Sequence, residues 1–142
     1  MPNDFFISID WGTSSLRIRV VATPSRLIVE EIVSSEGIKK IWNDWRMIGG
    51  EREMYFIKFL QLQLDQFVTK IDPSWPIVIS GMASSNIGIR ELPYANLPFQ
   101  VNGKLLYSES IESAVLPNKI HLISGAKTNS DVMRGEETQI VG

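Results

Sequence analysis

Apolar and polar positions change period along this chain, and each change marks a predicted element. Phe5-Phe6-Ile7-Ser8-Ile9 is an apolar run that ends in Asp10-Trp11-Gly12-Thr13-Ser14-Ser15, a cluster of turn-forming residues. That predicts a buried strand followed by a tight turn. Beyond the turn, Leu16, Ile18 and Val20 alternate with Arg17 and Arg19, the period-2 pattern of a strand with one polar face. Pro24-Ser25 interrupts the alternation, and residues 27–33 resume it as a third strand. Short turns between the three strands imply an antiparallel meander.

The period then lengthens. From Glu51 to Ile71, apolar residues fall at Phe56, Ile57, Leu60, Leu64, Phe67, Val68 and Ile71, the spacing of an amphipathic helix entered after Gly49-Gly50 and ended by Asp72-Pro73. Leu60 to Leu64 also alternates, but the length of the segment favours a helix. Residues 76–80, Pro-Ile-Val-Ile-Ser, predict a strand running into Gly81, and residues 119–124, Lys-Ile-His-Leu-Ile-Ser, another running into Gly125. Residues 82–118 between them carry Pro93, Pro98 and Pro117 and little periodicity. Asp131 to Val141 reads as a final helix, with Asn129 or Ser130 as its N-cap and acidic residues in its first turns. Three antiparallel strands followed by strand and helix alternation describe an α/β domain, a mixed sheet covered by helices. A ribonuclease H-like layout over residues 1–142 fits that order best.

Composition narrows the chemistry. Of 142 residues, 44% are hydrophobic, enough for one domain with a real core and no need of disulfides. There is no Cys, which excludes a disulfide scaffold and any thiolate zinc site. A net charge of −2 supplies no global positive field for a nucleic acid. With a single His, any Ser-His-Asp triad must run through His121, and its apolar strand setting favours a structural role. No window reaches the length of a membrane span, and Met1-Pro2-Asn3-Asp4 lacks the basic start of a signal peptide, so a cytoplasmic protein is expected. Trp42, Trp45, Tyr55, Phe56 and Phe59 form an aromatic cluster whose interleaved basic residues are sparser than a nucleic-acid platform carries, which predicts core and not a stacking platform.

Three segments could carry chemistry. In Asp10 to Arg17, a turn rich in Gly, Thr and Ser offers backbone N–H groups and hydroxyls to phosphate oxygens, and Asp10 at the strand end could hold Mg²⁺. An ordinary hairpin turn with Asp10 as a turn acid is the competing reading. Ser84, Ser85 and Asn86 stand just beyond a predicted strand, where open α/β sheets bind ligands, and are candidate contacts for a hydroxylated molecule. In Asn129 to Gln139, Arg134 beside Asp131, Glu136 and Glu137 could bind an acidic substrate, with one acid taking a proton from a hydroxyl; a solvated helix start would look the same.

Together these segments resemble the 2-dehydro-3-deoxygalactonokinase family, sugar-acid kinases of the actin-like ATPase superfamily. The likeness rests on Ile9-Asp10-Trp11-Gly12-Thr13 with Leu16-Arg17, on Gly81-Met82 with Ser85-Asn86, Gly88 and Pro93-Tyr94, and above all on Asp131-Val132-Met133-Arg134-Gly135-Glu136-Glu137-Thr138-Gln139. The resemblance implies transfer of the ATP γ-phosphoryl group to the terminal hydroxyl of 2-dehydro-3-deoxy-D-galactonate. In that scheme Asp10 holds the metal, Gly12, Thr13 and Ser14 face the phosphates, and Arg17 is a nearby counter-charge. Ser84, Ser85, Asn86 and Arg134 bind the sugar acid, and Asp131 or Glu136 is the general base. Residue Ile89 stands where many members of the family carry Trp.

Actin-like kinases have two lobes, and no second glycine-rich phosphate loop or adenosine-binding segment follows residue 139 here. The chain is therefore expected to be the first lobe, completed by a second lobe or a partner chain, and to self-associate through its Ile140-Val141 end. Two other readings remain at this point. One is a non-catalytic lobe that binds a sugar acid or a partner. The other is a two-metal nuclease of the ribonuclease H type, disfavoured by the Gly-Thr-Ser turn and the acidic charge balance.

Overall fold

The computed structural model describes residues 4–93, 95–96, 108–124, 126–127 and 132–133. Strands β1 (Phe5–Trp11), β2 (Leu16–Ala22) and β3 (Ile28–Ser34) form the expected meander. Helices α1 (Ile38–Ile48) and α2 (Arg52–Leu64) follow, then β4 (Ile77–Gly81) and a single 3-10 turn, Met82–Ser84. After a two-residue strand β5 (Ala95–Asn96) come β6 (Ser108–Ile111), β7 (Ile120–Ile123), β8 (Ala126–Lys127) and β9 (Val132–Met133). The main sheet has the order β3-β2-β1-β4-β7-β6, and β5-β8-β9 make a small second sheet.

Strand β4 runs parallel to β1 and β7 parallel to β4, while β2, β3 and β6 run antiparallel to their neighbours. The mixed sheet puts the carboxyl ends of β1, β4 and β7 on one edge. Register explains the core. Ile7 faces Val20 and Ile77, Ile9 faces Ile18 and Ile79, and Trp11 faces Leu16 and Gly81, so one face of the sheet is a continuous apolar layer. These side chains are buried, and Ile38, Ile41, Phe56, Ile57, Leu60 and Leu64 of the two helices join them in one core. A leucine or isoleucine enclosed to this extent is worth roughly 1.5–3 kcal/mol relative to exposure. The opposite face carries Ser8, Asp10, Arg17, Arg19 and Ser80, the alternate positions of the same strands.

Several sequence expectations are corrected. The helix expected over 51–71 ends at Leu64. Its last turn tightens, with Gln66 N–H donating to the Gln63 carbonyl and Phe67 N–H to that of Leu64. The Glu30 carboxylate of β3 then accepts the Val68 and Thr69 N–H groups, each at 2.9 Å, and the Thr69 hydroxyl at 2.7 Å, drawing the chain off the helix axis. Helix α1 was not anticipated as an element, although Ile38, Ile41, Trp42 and Trp45 have helical spacing. Strand β6 was likewise not anticipated. Val132–Met133, expected as the start of a helix, is a strand antiparallel to Ala126–Lys127, because pairing with a nearby strand outweighs local capping signals. The rest of that expected helix, including Ile140-Val141, lies outside the described residues.

The aromatic cluster is core as expected except for Trp45, which lies outside the core beside Trp42. Its indole N–H donates to the Gly50 carbonyl at 3.0 Å, a bond near the surface where the α1 end meets Gly50. Phe56 is fully enclosed, Trp42, Tyr55 and Phe59 pack against the core from its margin, and Trp11 meets both Phe56 and Phe59 at a centroid distance of 5.7 Å. His121 is half-buried on β7, opposite Val78 and Ser110, in the structural setting expected of it.

Candidate functional site

The turn after β1 is built by short-range geometry. Gly12 N–H donates to the Ser15 carbonyl at 2.9 Å, closing the loop that carries Thr13 and Ser14 into solvent. It is then held from behind by helix α1, whose first N–H groups, at Ile38 and Lys39, donate to the Gly12 and Thr13 carbonyls at 2.9 and 3.2 Å. Close approach requires glycine at position 37: a Cβ there would lie 2.2 Å from the Thr13 carbonyl oxygen. An ordinary hairpin turn needs no such helix behind it. The Trp11 indole N–H also donates to the Glu36 carbonyl at 3.0 Å, tying the same junction to the core.

Asp10 is exposed at the carboxyl end of β1, opposite Arg17 on β2 and Ser80 on β4. Its carboxylate takes no hydrogen bond or ion pair among the described residues. Arg17 lies 3.7 Å from the Glu31 carboxylate, which Arg19 also engages at 2.5 Å. The hydrogen bond from Arg19 holds the Glu31 carboxyl below the usual carboxylate range. Beside the turn, an open groove of about 460 Å³ is lined by Thr13, Ser14, Ser35, Lys39, Lys40, Asn43 and Asp44.

The second candidate segment stands against the first. Gly81 ends β4 beside Trp11, and Met82–Ser84 turns over the same edge. The loop is internally bonded: Ser85 N–H and Gly88 N–H donate to the Met82 and Ser85 carbonyls at 3.0 and 2.9 Å, and Ile89 N–H to that of Ala83 at 2.8 Å. Ser84 and Ser85 are buried, with 1% and 2% of their surface accessible. The Ser85 hydroxyl donates to the Met82 carbonyl at 2.6 Å and accepts the Ile87 N–H, so in this structure it shapes the loop. Asn86 is the exposed member of the three. Ile89 is buried in the core and so does not line an open pocket here.

Two residues that sequence reasoning passed over grip this loop from helix α2. The Arg52 guanidinium donates to the carbonyls of Gly88 at 2.6 Å, Asn86 at 3.0 Å and Ser85 at 3.3 Å, and lies 4.8 Å from the centre of the Trp42 ring. Its partial burial lowers the guanidinium pKa from the ordinary arginine value, by desolvation. Glu53 accepts two hydrogen bonds from Arg90, at 2.7 and 2.9 Å, and Arg90 also reaches Glu109 of β6 at 2.5 Å. Adjacent charges at a predicted helix start were the only signal in the sequence, and such charges are usually solvated.

Asp131, Arg134 and Glu136 lie outside the described residues. For a divalent cation, Asp10 is a suitable single ligand: Mg²⁺ is commonly held by one or two carboxylates with waters and substrate phosphates. No group of three or more His, Cys, Asp or Glu side chains gathers as a metal cage among the described residues. Among them, too, no helix is long and apolar enough to cross a membrane.

A meander-led mixed sheet with a helix-backed Gly-Thr-Ser turn after its first strand defines a lobe of the actin-like ATPase class, as the sequence suggested. Comparison with known proteins makes this specific. The family model for 2-keto-3-deoxy-galactonokinase matches residues 10–142, and the chain belongs to that family. It is 26% identical to the 2-dehydro-3-deoxygalactonokinase of Escherichia coli (strain K12) over 149 residues, covering 96% of this chain and 41% of the relative. A protein of Rhizobium meliloti (strain 1021) assigned the same activity is also 26% identical, with 97% and 42% covered. The crystal structure of a protein assigned as a 2-dehydro-3-deoxygalactonokinase from Sinorhizobium meliloti superposes with a TM-score of 0.75 at 26% identity, over 96% of this chain and 41% of that one. The chain thus spans about two fifths of the length of the relatives it matches.

Proposed function

We propose that this chain is the first lobe of an ATP-dependent kinase that phosphorylates 2-dehydro-3-deoxy-D-galactonate at its terminal hydroxyl, and that a second lobe completes the nucleotide site. The observation that carries the reading is the juxtaposition, on one sheet edge, of an exposed Asp10 with no partner among the described residues, a helix-backed turn at Gly12, Thr13 and Ser14, and the loop bearing Asn86. Family membership supplies the reaction class.

Phosphoryl transfer spreads negative charge over the moving group, so the protein acts by positioning and electrostatics. Asp10 would hold Mg²⁺, which neutralises phosphate charge when bound. The turn at Gly12, Thr13 and Ser14, closed by the Gly12 N–H bond to the Ser15 carbonyl, would present the N–H groups and hydroxyls of Thr13 and Ser14 to the phosphates, and Arg17 would add positive charge. Asn86 and Arg134 would bind the sugar acid, while the buried Ser85 hydroxyl keeps the loop in shape. Asp131 or Glu136 would take the proton as the hydroxyl oxygen bonds to the γ-phosphorus and the bond to the β-phosphate oxygen breaks. Strand β8 lies within chain reach of the same edge: Ala126 follows Ile123, the end of β7, by three residues, at most about 11 Å. Strand β9 pairs with that segment, and Asp131 and Arg134 flank β9 in sequence.

The test is a coupled assay with the sugar acid and Mg-ATP on the protein at its native length. Asp10→Asn should lower turnover on the order of a hundredfold, because it weakens charge placement in the transition state. Arg134→Ala should chiefly raise KM for the sugar acid, as loss of a contact remote from the transferred group does. Unchanged turnover in Asp10→Asn would sink the assignment of the phosphate side. The alternative is a lobe that binds the sugar acid without turning it over; saturable binding with no phosphorylated product at native length would establish that instead.

A further inference from the structure

Both halves of the candidate site are fastened to the same pair of helices. Helix α1 holds the Gly12 to Ser14 turn through its first N–H groups, and one turn further along it presents Trp42. The Trp42 ring lies against the Arg52 guanidinium at 4.8 Å. Arg52, the first residue of α2, spends three hydrogen bonds on three carbonyls of the loop that carries Asn86, at 2.6, 3.0 and 3.3 Å. A planar guanidinium whose donors fan out in a fixed fork can hold three carbonyls at once, whereas an ammonium on a flexible stem cannot fix the same geometry. An arginine facing a ligand would keep its donors for that ligand. These donors are directed at main chain instead, from a side chain partly withdrawn from water.

We propose that Arg52, with Trp42 behind it, is a positioning residue that sets the Asn86 loop at a fixed distance from the Gly12 to Ser14 turn, and so sets affinity for the sugar acid. The inference rests on the reading of that loop as the substrate side. Glu53 adds to the grip through Arg90, but at a point beyond the loop's exposed tip. Because the helix pair connects the two segments, loosening Arg52 should act on the sugar side and leave the phosphate turn in place.

The experiment uses the protein at native length, with KM for the sugar acid and for ATP measured separately in wild type, Arg52→Ala, Arg52→Lys and Trp42→Leu. A displaced loop should raise KM for the sugar acid about tenfold to a hundredfold in both Arg52 variants, with KM for ATP changed by less than about twofold. Trp42→Leu should shift the sugar-acid KM in the same direction and add little in the Arg52→Ala background, since the two act through one contact. Guanidinium ion at sub-denaturing concentration should lower the raised KM of Arg52→Ala and leave wild type unaffected. A residue that merely stabilises the fold would lower the melting temperature without separating the two KM values and would not be rescued; that result overturns the proposal, as does an unchanged sugar-acid KM. If Arg52→Ala does not fold, Arg52→Lys carries the test alone. Wild type with no activity on the sugar acid defeats the functional reading itself, and is thus distinct from an active enzyme indifferent to Arg52.

Discussion

Single residues at the carboxyl edge are constrained by space as much as by chemistry. Gly81 has φ of +97°, and a Cβ there would sit 2.5 Å from the Trp11 carbonyl oxygen. Gly81→Ala should therefore destabilise the protein by about 1–3 kcal/mol from backbone strain, before any shift of β1 is added, and denaturant unfolding will measure it. Asp10 stands out in the sequence because an acid before a Gly-Thr-Ser turn is a recognisable pattern, and the fold leaves it exposed at the end of β1. Arg52 does not stand out. Nothing in residues 51–53 says that a guanidinium reaches carbonyls more than thirty positions away, since that contact exists only once α2 packs beside the β4 loop.

Elements were readable where one periodicity dominated. The meander was anticipated because β1 and β2 bury alternate residues against a single face. Helix α2 was placed but overextended: Phe67 and Val68 continue the apolar spacing, yet Val68 is 94% exposed and the Glu30 carboxylate claims its N–H group. Local pattern cannot register a competing acceptor on another strand. The link from α2 to β6 through Arg90 is a second such cross-element tie, and hydrogen bonds to Glu53 and Glu109 raise the Arg90 pKa further above the usual arginine value. A double-mutant cycle with Glu53→Gln and Arg90→Gln should give a coupling of roughly 0.5–1 kcal/mol in thermal or chemical unfolding, diminishing with added salt because all three groups are partly exposed. Zero coupling at low salt would show that the bidentate pair contributes nothing to the docking of the loop.

For the molecule as a whole, acid sensitivity follows from several carboxylates at once. Glu30 is held below its ordinary pKa, first by the Thr69 N–H, then by the Thr69 hydroxyl and the Val68 N–H. Glu31 is lowered by the Arg19 hydrogen bond and Asp72 by the Ser74 hydroxyl and N–H. A group whose folded pKa is depressed contributes stability above its unfolded pKa, about 4 for these acids, and loses it as pH falls through the folded value. Unfolding free energy should therefore be flat near neutrality on account of these groups and decline below about pH 4. Glu30→Gln should make the decline shallower while lowering stability at pH 7, as urea titrations across pH will show. A decline as steep as wild type in that variant would mean that the tie from β3 to the α2 loop does not feel the proton.

The sequence by itself determined the strand meander, the apolar face of the sheet, the Gly-Thr-Ser turn after β1 and the family, because each is written in residues adjacent along the chain or repeating at a fixed period. Tertiary structure alone decided where α2 stops, that Val132–Met133 pairs as a strand, that Ser84 and Ser85 turn inward while Asn86 remains exposed, and that Arg52 and Trp42 clamp the loop beside Asp10. The physical reason is common to all four. Each depends on which donor, acceptor or packing surface from a distant segment arrives first at a given backbone group, and such competition has no signature within a local window of sequence.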